Sequence, residues 1–286
     1  MSISKDTDIN LISTHIWPKN AKRNNAGVLE IAGKNVIELE KDFETPLFIL
    51  DEDDALERAR RYRKSFSKDL FENKLSKETK IYYASKAFSA VRFLQMLAQE
   101  GLGIDVATEG ELRVALKAGI DPKDIIFHGN NKSLSELDFA LENNVGIFVV
   151  DSFFEIARLA QISSEKNKKA DVLVRVTAGV EAHTHEFVAT AHEDQKFGFS
   201  LAAGDADEAV RRVIKDENLN FKGLHSHIGS QIFENKAFEI AAQRLTELSV
   251  RIFKEHNVQV EMRSEEHTSE LQSHLNLVCR LLLEKK

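Results

Sequence analysis

Two short stretches carry side chains whose types and spacing could do chemistry. Lys86 directly follows Tyr82-Tyr83-Ala84-Ser85. A lysine leaving an apolar strand can be partly desolvated, which lowers the amine's pKa and makes it a nucleophile toward a carbonyl. The alternative is a rim lysine that simply reaches solvent. The second stretch is His225-Ser-His227-Ile-Gly229-Ser230. On a strand, residues two apart share a face. Three chemistries fit the two imidazoles: a metal pair, one ring stacked on an aromatic ligand with Gly229 and Ser230 donating to a phosphate, or two hydrogen-bonded core histidines. The Gly-Ser step favours the anion site. His183-x-His185 lies in a long polar segment with no third ligand evident in sequence. It reads as solvated or substrate-lining before metal-binding.

These residues need a scaffold, and the middle of the chain supplies a regular one. Strand-like tetrapeptides start at residues 81, 103, 125 and 147, each 22 residues after the last. That length holds one strand, one short helix and two tight connections. Thr108-Glu-Gly-Glu111, Ser133-Leu-Ser-Glu136 and Ser152-Phe-Phe-Glu155 have capping-box spacing and mark three helix starts in phase with the strands. Gly101 and Gly119 stand where helix ends favour a left-handed residue. The alternation continues with strands predicted over 171–177, 221–227 and from 258, and helices over 206–215 and 238–253. Alternation of this kind makes a parallel sheet. Seven successive units point to an α/β fold of the (β/α)8 barrel type, with about seven of its eight strands here. Chemistry then belongs at the C-terminal strand ends, where Lys86, Asp105, His128, Arg175 and the 225–230 stretch fall. Ahead of the barrel, 28–31 and 36–39 flank Gly33 and predict a hairpin, a piece of a separate β-domain largely missing from this chain.

Composition narrows the class. The chain has 286 residues, 42% hydrophobic and 30% charged, with a net charge of −7. This is a globular composition with no basic stripe for nucleic acid. No apolar run reaches membrane length and the first 26 residues hold no signal-like apolar core. The single cysteine, Cys279, excludes an intrachain disulfide and a cysteine-rich zinc site. A cytoplasmic enzyme or binding protein is expected.

Four separated motifs agree, in order and spacing, with one family: Tyr83-Ala-Ser-Lys86-Ala-Phe88, Gly103-Ile-Asp-Val-Ala-Thr-Glu-Gly-Glu-Leu112, Phe127-His-Gly-Asn-Asn-Lys-Ser133 and His225-Ser-His-Ile-Gly-Ser-Gln231. They resemble the pyridoxal-phosphate decarboxylases of the alanine-racemase-like fold type. Gly179-Val-Glu-Ala-His-Thr-His-Glu-Phe187 and Asp194-Gln-Lys-Phe-Gly198 resemble the diaminopimelate decarboxylase branch in particular. The resemblance covers about residues 26–262 and implies a pyridoxal 5'-phosphate cofactor joined covalently to Lys86. His227 would stack on the cofactor ring, and Gly229 and Ser230 would hold its phosphate. Asp105 and Glu111 match acids near the cofactor, and Arg175 matches a barrel-strand arginine. The implied reaction is α-decarboxylation of meso-2,6-diaminopimelate to L-lysine by a homodimer, with no metal, nucleic-acid or membrane partner. A metal-dependent barrel hydrolase using His225 and His227, and a non-catalytic pyridoxal-phosphate carrier, are the alternatives.

The resemblance stops at Met262. From Arg263 the chain reads RSEEHTSELQSHLNLVCRLLLEKK, a residue-by-residue match to a translated sequencing-adapter oligonucleotide. Three segments are therefore expected: 1–45 from the β-domain, 46–262 as the barrel, and 263–286 as a non-native tail too polar to serve as a buried strand. A barrel lacking its eighth strand and the later family motifs is expected to be inactive as it stands.

Overall fold

The computed structural model describes residue 12 and residues 17–66, 79–180, 197–229, 235–265 and 277–279. The chain divides into two units, Met1–Arg61 and Tyr62–Lys286.

In the first unit, β1 (Ala21–Arg23), β2 (Leu29–Ile31) and β3 (Lys34–Asn35) form a small antiparallel sheet. Gly33 makes the β2–β3 turn at φ 75°. The predicted second arm of the hairpin is a correction: Val36–Phe43 is a helix, α1. Asn35 ends the sheet and caps the helix, its Oδ1 accepting from Ile37 N at 2.9 Å. A good N-cap outweighs a four-residue alternation. The following helix, α2 (Glu52–Ser65), carries acids in its first turn and bases in its last, as the helix dipole favours.

The second unit is built on a β/α alternation. Its strands are β4 (Ile81–Ala84), β5 (Gly103–Val106), β6 (Ile125–Phe127), β7 (Ile147–Val150), β8 (Ala170–Thr177), β9 (Phe199–Ser200), β10 (Leu219–Ser226), β11 (Met262–Glu265) and β12 (Leu277–Cys279). Its helices are α3 (Val91–Gln99), α4 (Glu109–Lys117), α5 (Leu134–Glu142), α6 (Phe153–Glu165), α7 (Asp205–Lys215) and α8 (Asn235–His256). Seven strands run parallel along one path in the order β11-β10-β8-β7-β6-β5-β4, and the two-residue β9 pairs parallel to β8 off that path. The seven-strand expectation holds. Every residue of β4 to β7 is buried, as a parallel sheet covered on both faces requires. Tyr82, Ala84, Ile126, Ile147, Val149 and Leu173 pack together from four strands, β4, β6, β7 and β8, and Met262 of β11 joins them.

Two expectations at the end of the sheet are corrected. The last parallel strand starts at Met262 rather than at 258, because α8 runs to His256 and Asn257 turns the chain at φ 54°. It therefore uses Arg263, Ser264 and Glu265, residues expected to be too polar for a buried strand. Ser264 is buried, and Arg263 donates to Ala242 O and Thr246 Oγ1 on α8. Burial holds the Arg263 guanidinium below its ordinary pKa. The β4 edge carries β12 in antiparallel register. Gly223 allows the close β10–β11 approach: at φ 153°, an added Cβ would lie 1.8 Å from Met262 O.

The three helix starts are where their spacing predicts them, but only one is a full capping box. Ser133 Oγ accepts from Glu136 N and Glu136 Oε2 accepts from Ser133 N. Thr108 and Ser152 cap Glu111 N and Glu155 N. Their acids reach one residue further back, Glu111 Oε2 to Ala107 N at 2.6 Å and Glu155 Oε2 to Asp151 N at 3.0 Å. Each acid thereby ties a helix start to the strand end before it.

Candidate active site

The C-terminal strand ends enclose a cleft of about 420 Å³. This lies in the range of about 300–1,000 Å³ usual for small-molecule pockets. Lys86, Asp105, His128, Arg175, Phe197 and His227 border it.

Lys86 sits on a single 3-10 turn, Ser85–Ala87, immediately after β4. Ser85 is buried but Lys86 is exposed. Of the two readings for this lysine, the structure shows the rim lysine: the chain leaves the buried strand and turns outward within one residue, setting the amine at the cleft rim. Tyr83 anchors this turn by donating its hydroxyl to Phe88 O at 3.2 Å. Burial raises the Tyr83 phenol above its usual pKa, so it stays a donor.

Asp105 and His128 form a buried pair, Oδ1 to Nδ1, at 2.5 Å. The His128 ring lies edge-on to His225, with centroids 4.7 Å apart. His128 Nε2 is buried without a hydrogen-bond partner among the described residues. Gly129 follows at φ 108°, its Cα so close to β5 that a Cβ would stand 2.9 Å from Ala107 O. Glu111 also borders the cleft, but its carboxylate is engaged by the Ala107 amide.

Across the cleft, Arg175 of β8 is buried and donates to Asp151 at 3.2 Å. Its guanidinium lies 4.7 Å from the Phe197 ring centroid. His225 and His227 divide their work. His225 is fully buried in β10, against His128, whereas His227 follows the strand and borders the cleft. Gly229 is buried at φ 125°, a conformation only glycine adopts readily. Ser230, His183 and His185 lie outside the described residues. Among the described residues, no group of three or more His, Cys, Asp or Glu is arranged to hold a metal ion.

Three buried groups near the cleft were not proposed as site residues from sequence: Asp151, Lys132, and Glu155, which its spacing marks only as a helix-capping acid. Lys132 Nζ donates to Glu155 at 2.5 Å, Gly129 O at 2.7 Å and Val149 O at 2.8 Å. Burial pushes the Glu155 carboxyl up, and the neighbouring ammonium opposes that rise. The signal that could have found them is the 22-residue beat. Parallel register sets Asp105 beside Ile126 and Val150 beside Val174. Residues about one beat apart at strand ends therefore meet, as Asp105–His128, Lys132–Glu155 and Asp151–Arg175 do, at separations of 23, 23 and 24.

A strand-end lysine, an imidazole and a buried arginine thus border one cleft at the strand ends, and comparison with known proteins supplies the family. Residues 55–263 match the family described as pyridoxal-dependent decarboxylase, pyridoxal binding domain, and the chain belongs to that family. Among curated relatives, the diaminopimelate decarboxylase of Mycobacterium tuberculosis is 48% identical over 234 residues, which are 82% of this chain and 50% of that protein. That of Bacillus subtilis is 42% identical over 225 residues, 79% of this chain and 50% of that protein. The chain spans about half the length of the curated relatives it matches. The crystal structure of diaminopimelate decarboxylase from M. jannaschii with L-lysine superposes with a TM-score of 0.79 at 29% identity, covering 87% of this chain and 56% of that one. The Helicobacter pylori enzyme with L-lysine gives 0.70 at 28% identity, covering 80% and 55%.

Proposed function

We propose that this chain is the cofactor-binding part of a pyridoxal-phosphate-dependent diaminopimelate decarboxylase, a carboxy-lyase releasing CO2 from meso-2,6-diaminopimelate to give L-lysine. The observation that carries this reading is the Lys86, Arg175 and His227 set around one strand-end cleft, in a chain 48% identical to a diaminopimelate decarboxylase. The donor set fits the cofactor. A phosphorylated pyridine aldehyde calls for an amine to bind its carbonyl, a flat side chain against its ring and donors for its anionic group. Lys86 supplies the amine at an exposed, reachable position. His227 supplies the flat ring, and Gly229 with Ser230 supplies phosphate donors. Asp105 holds His128 fixed and borders the ring position, and Arg175 adds a cation to the opposite wall.

When bound, the cofactor supplies an electron sink for the carbanion left by departing CO2. The chain's own residues orient and move protons. Lys86 Nζ is the group that delivers a proton to the reacting carbon after CO2 leaves, because it is the exposed amine of the cleft. Lys132 is unsuited to that task, since its ammonium is committed to Glu155 and two carbonyls. The full-length protein is read as a cytoplasmic homodimer with no nucleic-acid partner. Among the described residues no helix is long and apolar enough to cross a membrane. Residues 1–45 are assigned to a separate β-domain, 46–262 to the barrel, and 263–286 to a translated adapter. The family match ending at residue 263 supports the last assignment, and sequencing the parent gene past the Met262 codon tests it.

The functional test uses the full-length gene product. Borohydride reduction with pyridoxal phosphate and peptide mapping should place the adduct on Lys86, with CO2 released from meso-diaminopimelate. An adduct on another lysine sinks the site assignment. Activity lost to a chelator with no adduct would favour a metal hydrolase, and an adduct without CO2 release would favour a carrier.

A further inference from the structure

We infer that Asp151 is the positioning residue for Arg175, and that the buried Lys132–Glu155 pair holds Asp151 in place. Asp151 directly follows β7, one strand away from Arg175. Both of its carboxylate oxygens are used. Oδ2 accepts from Arg175 Nη1 at 3.2 Å, and Oδ1 accepts from Gly198 N at 2.6 Å. A guanidinium as buried as Arg175 requires such a counter-charge, because an unpaired buried charge is strongly unfavourable.

Asp151 is itself fixed from behind. Its amide donates to Glu155 Oε2 at 3.0 Å, and Glu155 Oε1 accepts from Lys132. Lys132 has three donors, and Glu155, Gly129 O and Val149 O engage them. The four side chains sum to zero formal charge, two cations and two carboxylates, and all four are buried. One network therefore runs from Gly129 on one wall of the cleft to Arg175 and Phe197 on the other. Asp151 is its junction, setting the arginine through one oxygen and the Phe197–Gly198 segment through the other.

The inference rests on the cofactor reading only for the second of two readouts. The first uses the 286-residue chain without cofactor: hydrogen exchange at the Arg175 Nη–H groups, one of which Asp151 engages, identified in nitrogen-15 spectra by their loss in Arg175→Lys. Asp151→Asn keeps an oxygen for the Gly198 amide but removes the charge. Exchange should speed by about tenfold, the scale of one coupled buried pair. Glu155→Gln, which does not touch Arg175, should shift it in the same direction. The second readout is pyridoxal-phosphate retention in Asp151→Asn, Arg175→Lys and the double variant. If Asp151 acts through Arg175, the double variant is no weaker than Arg175→Lys alone. Additive losses, or unchanged Arg175 exchange in a folded Asp151→Asn chain, overturn the inference. Should Asp151→Asn unfold the chain, Glu155→Gln decides, and unchanged exchange there overturns it as well. This second readout uses the full-length gene product; a wild-type form of it that retains no cofactor counts against the cofactor reading, while the exchange result still decides this one.

Discussion

His128 Nδ1 meets Asp105 Oδ1 at 2.5 Å in the floor of the cleft, joining the ends of two adjacent strands. The carboxylate accepts from Nδ1–H, which assigns the neutral ring's proton to that nitrogen and leaves Nε2 as the acceptor. Removing the acid strands a buried imidazole. Asp105→Ala should cost about 1–3 kcal/mol of stability in urea unfolding. Adding His128→Phe should recover part of that loss by removing the orphaned donor. Full additivity of the two changes would sink the pairing.

His227 borders the cleft and His225 does not line it. His227→Ala should therefore weaken pyridoxal-phosphate retention, by about the 0.5–1.5 kcal/mol that aromatic stacking is worth beyond burial. His225→Ala should reduce stability more than retention, since that ring is fully buried against His128. Equilibrium dialysis with thermal unfolding separates the two effects, and the reverse pattern would exchange their roles.

Burial pushes the Glu136 carboxyl up, but the Ser133 amide and hydroxyl and the Glu109 amide outweigh it and hold the group below its ordinary pKa. Its contribution to stability is therefore present above the unfolded-state pKa and fades as pH falls through the lower folded value. Ser133→Ala should cost about 1 kcal/mol near neutral pH. That difference should shrink on acidification below the usual carboxylate range, and Glu136→Gln should flatten the dependence. A cost independent of pH would rule out the reciprocal cap.

Lys132→Met would leave Glu155 buried without its cation, at about 3–5 kcal/mol. Lys132→Met with Glu155→Leu should be milder, because no charge is then stranded. Chemical denaturation of both variants checks the order. If the double variant proves less stable than the single one, the pair contributes through something other than mutual neutralisation.

Much of the barrel was legible because its signals are local. The 22-residue beat, the strand-end lysine, the three capped helix starts and the left-handed Gly101 and Gly119 depend on residues within a few positions of one another. Where two local signals competed, the weaker lost: Val36 to Leu39 read as a strand until the Asn35 cap made a helix of it.

The sequence by itself determined the parallel β/α alternation, the run of seven parallel strands, the family and most of the residues at the strand ends. Tertiary structure alone decided which of those residues meet. Asp105 finds His128, Lys132 finds Glu155 and Asp151 finds Arg175 because parallel pairing brings the ends of neighbouring strands to one level. Local pattern cannot show that register, since a shift of one residue would turn every side chain to the opposite face. Likewise, only the fold set Lys86 in the open and Lys132 out of reach: both follow apolar strands, but one chain end turns outward in a 3-10 turn while the other folds back over the next strand.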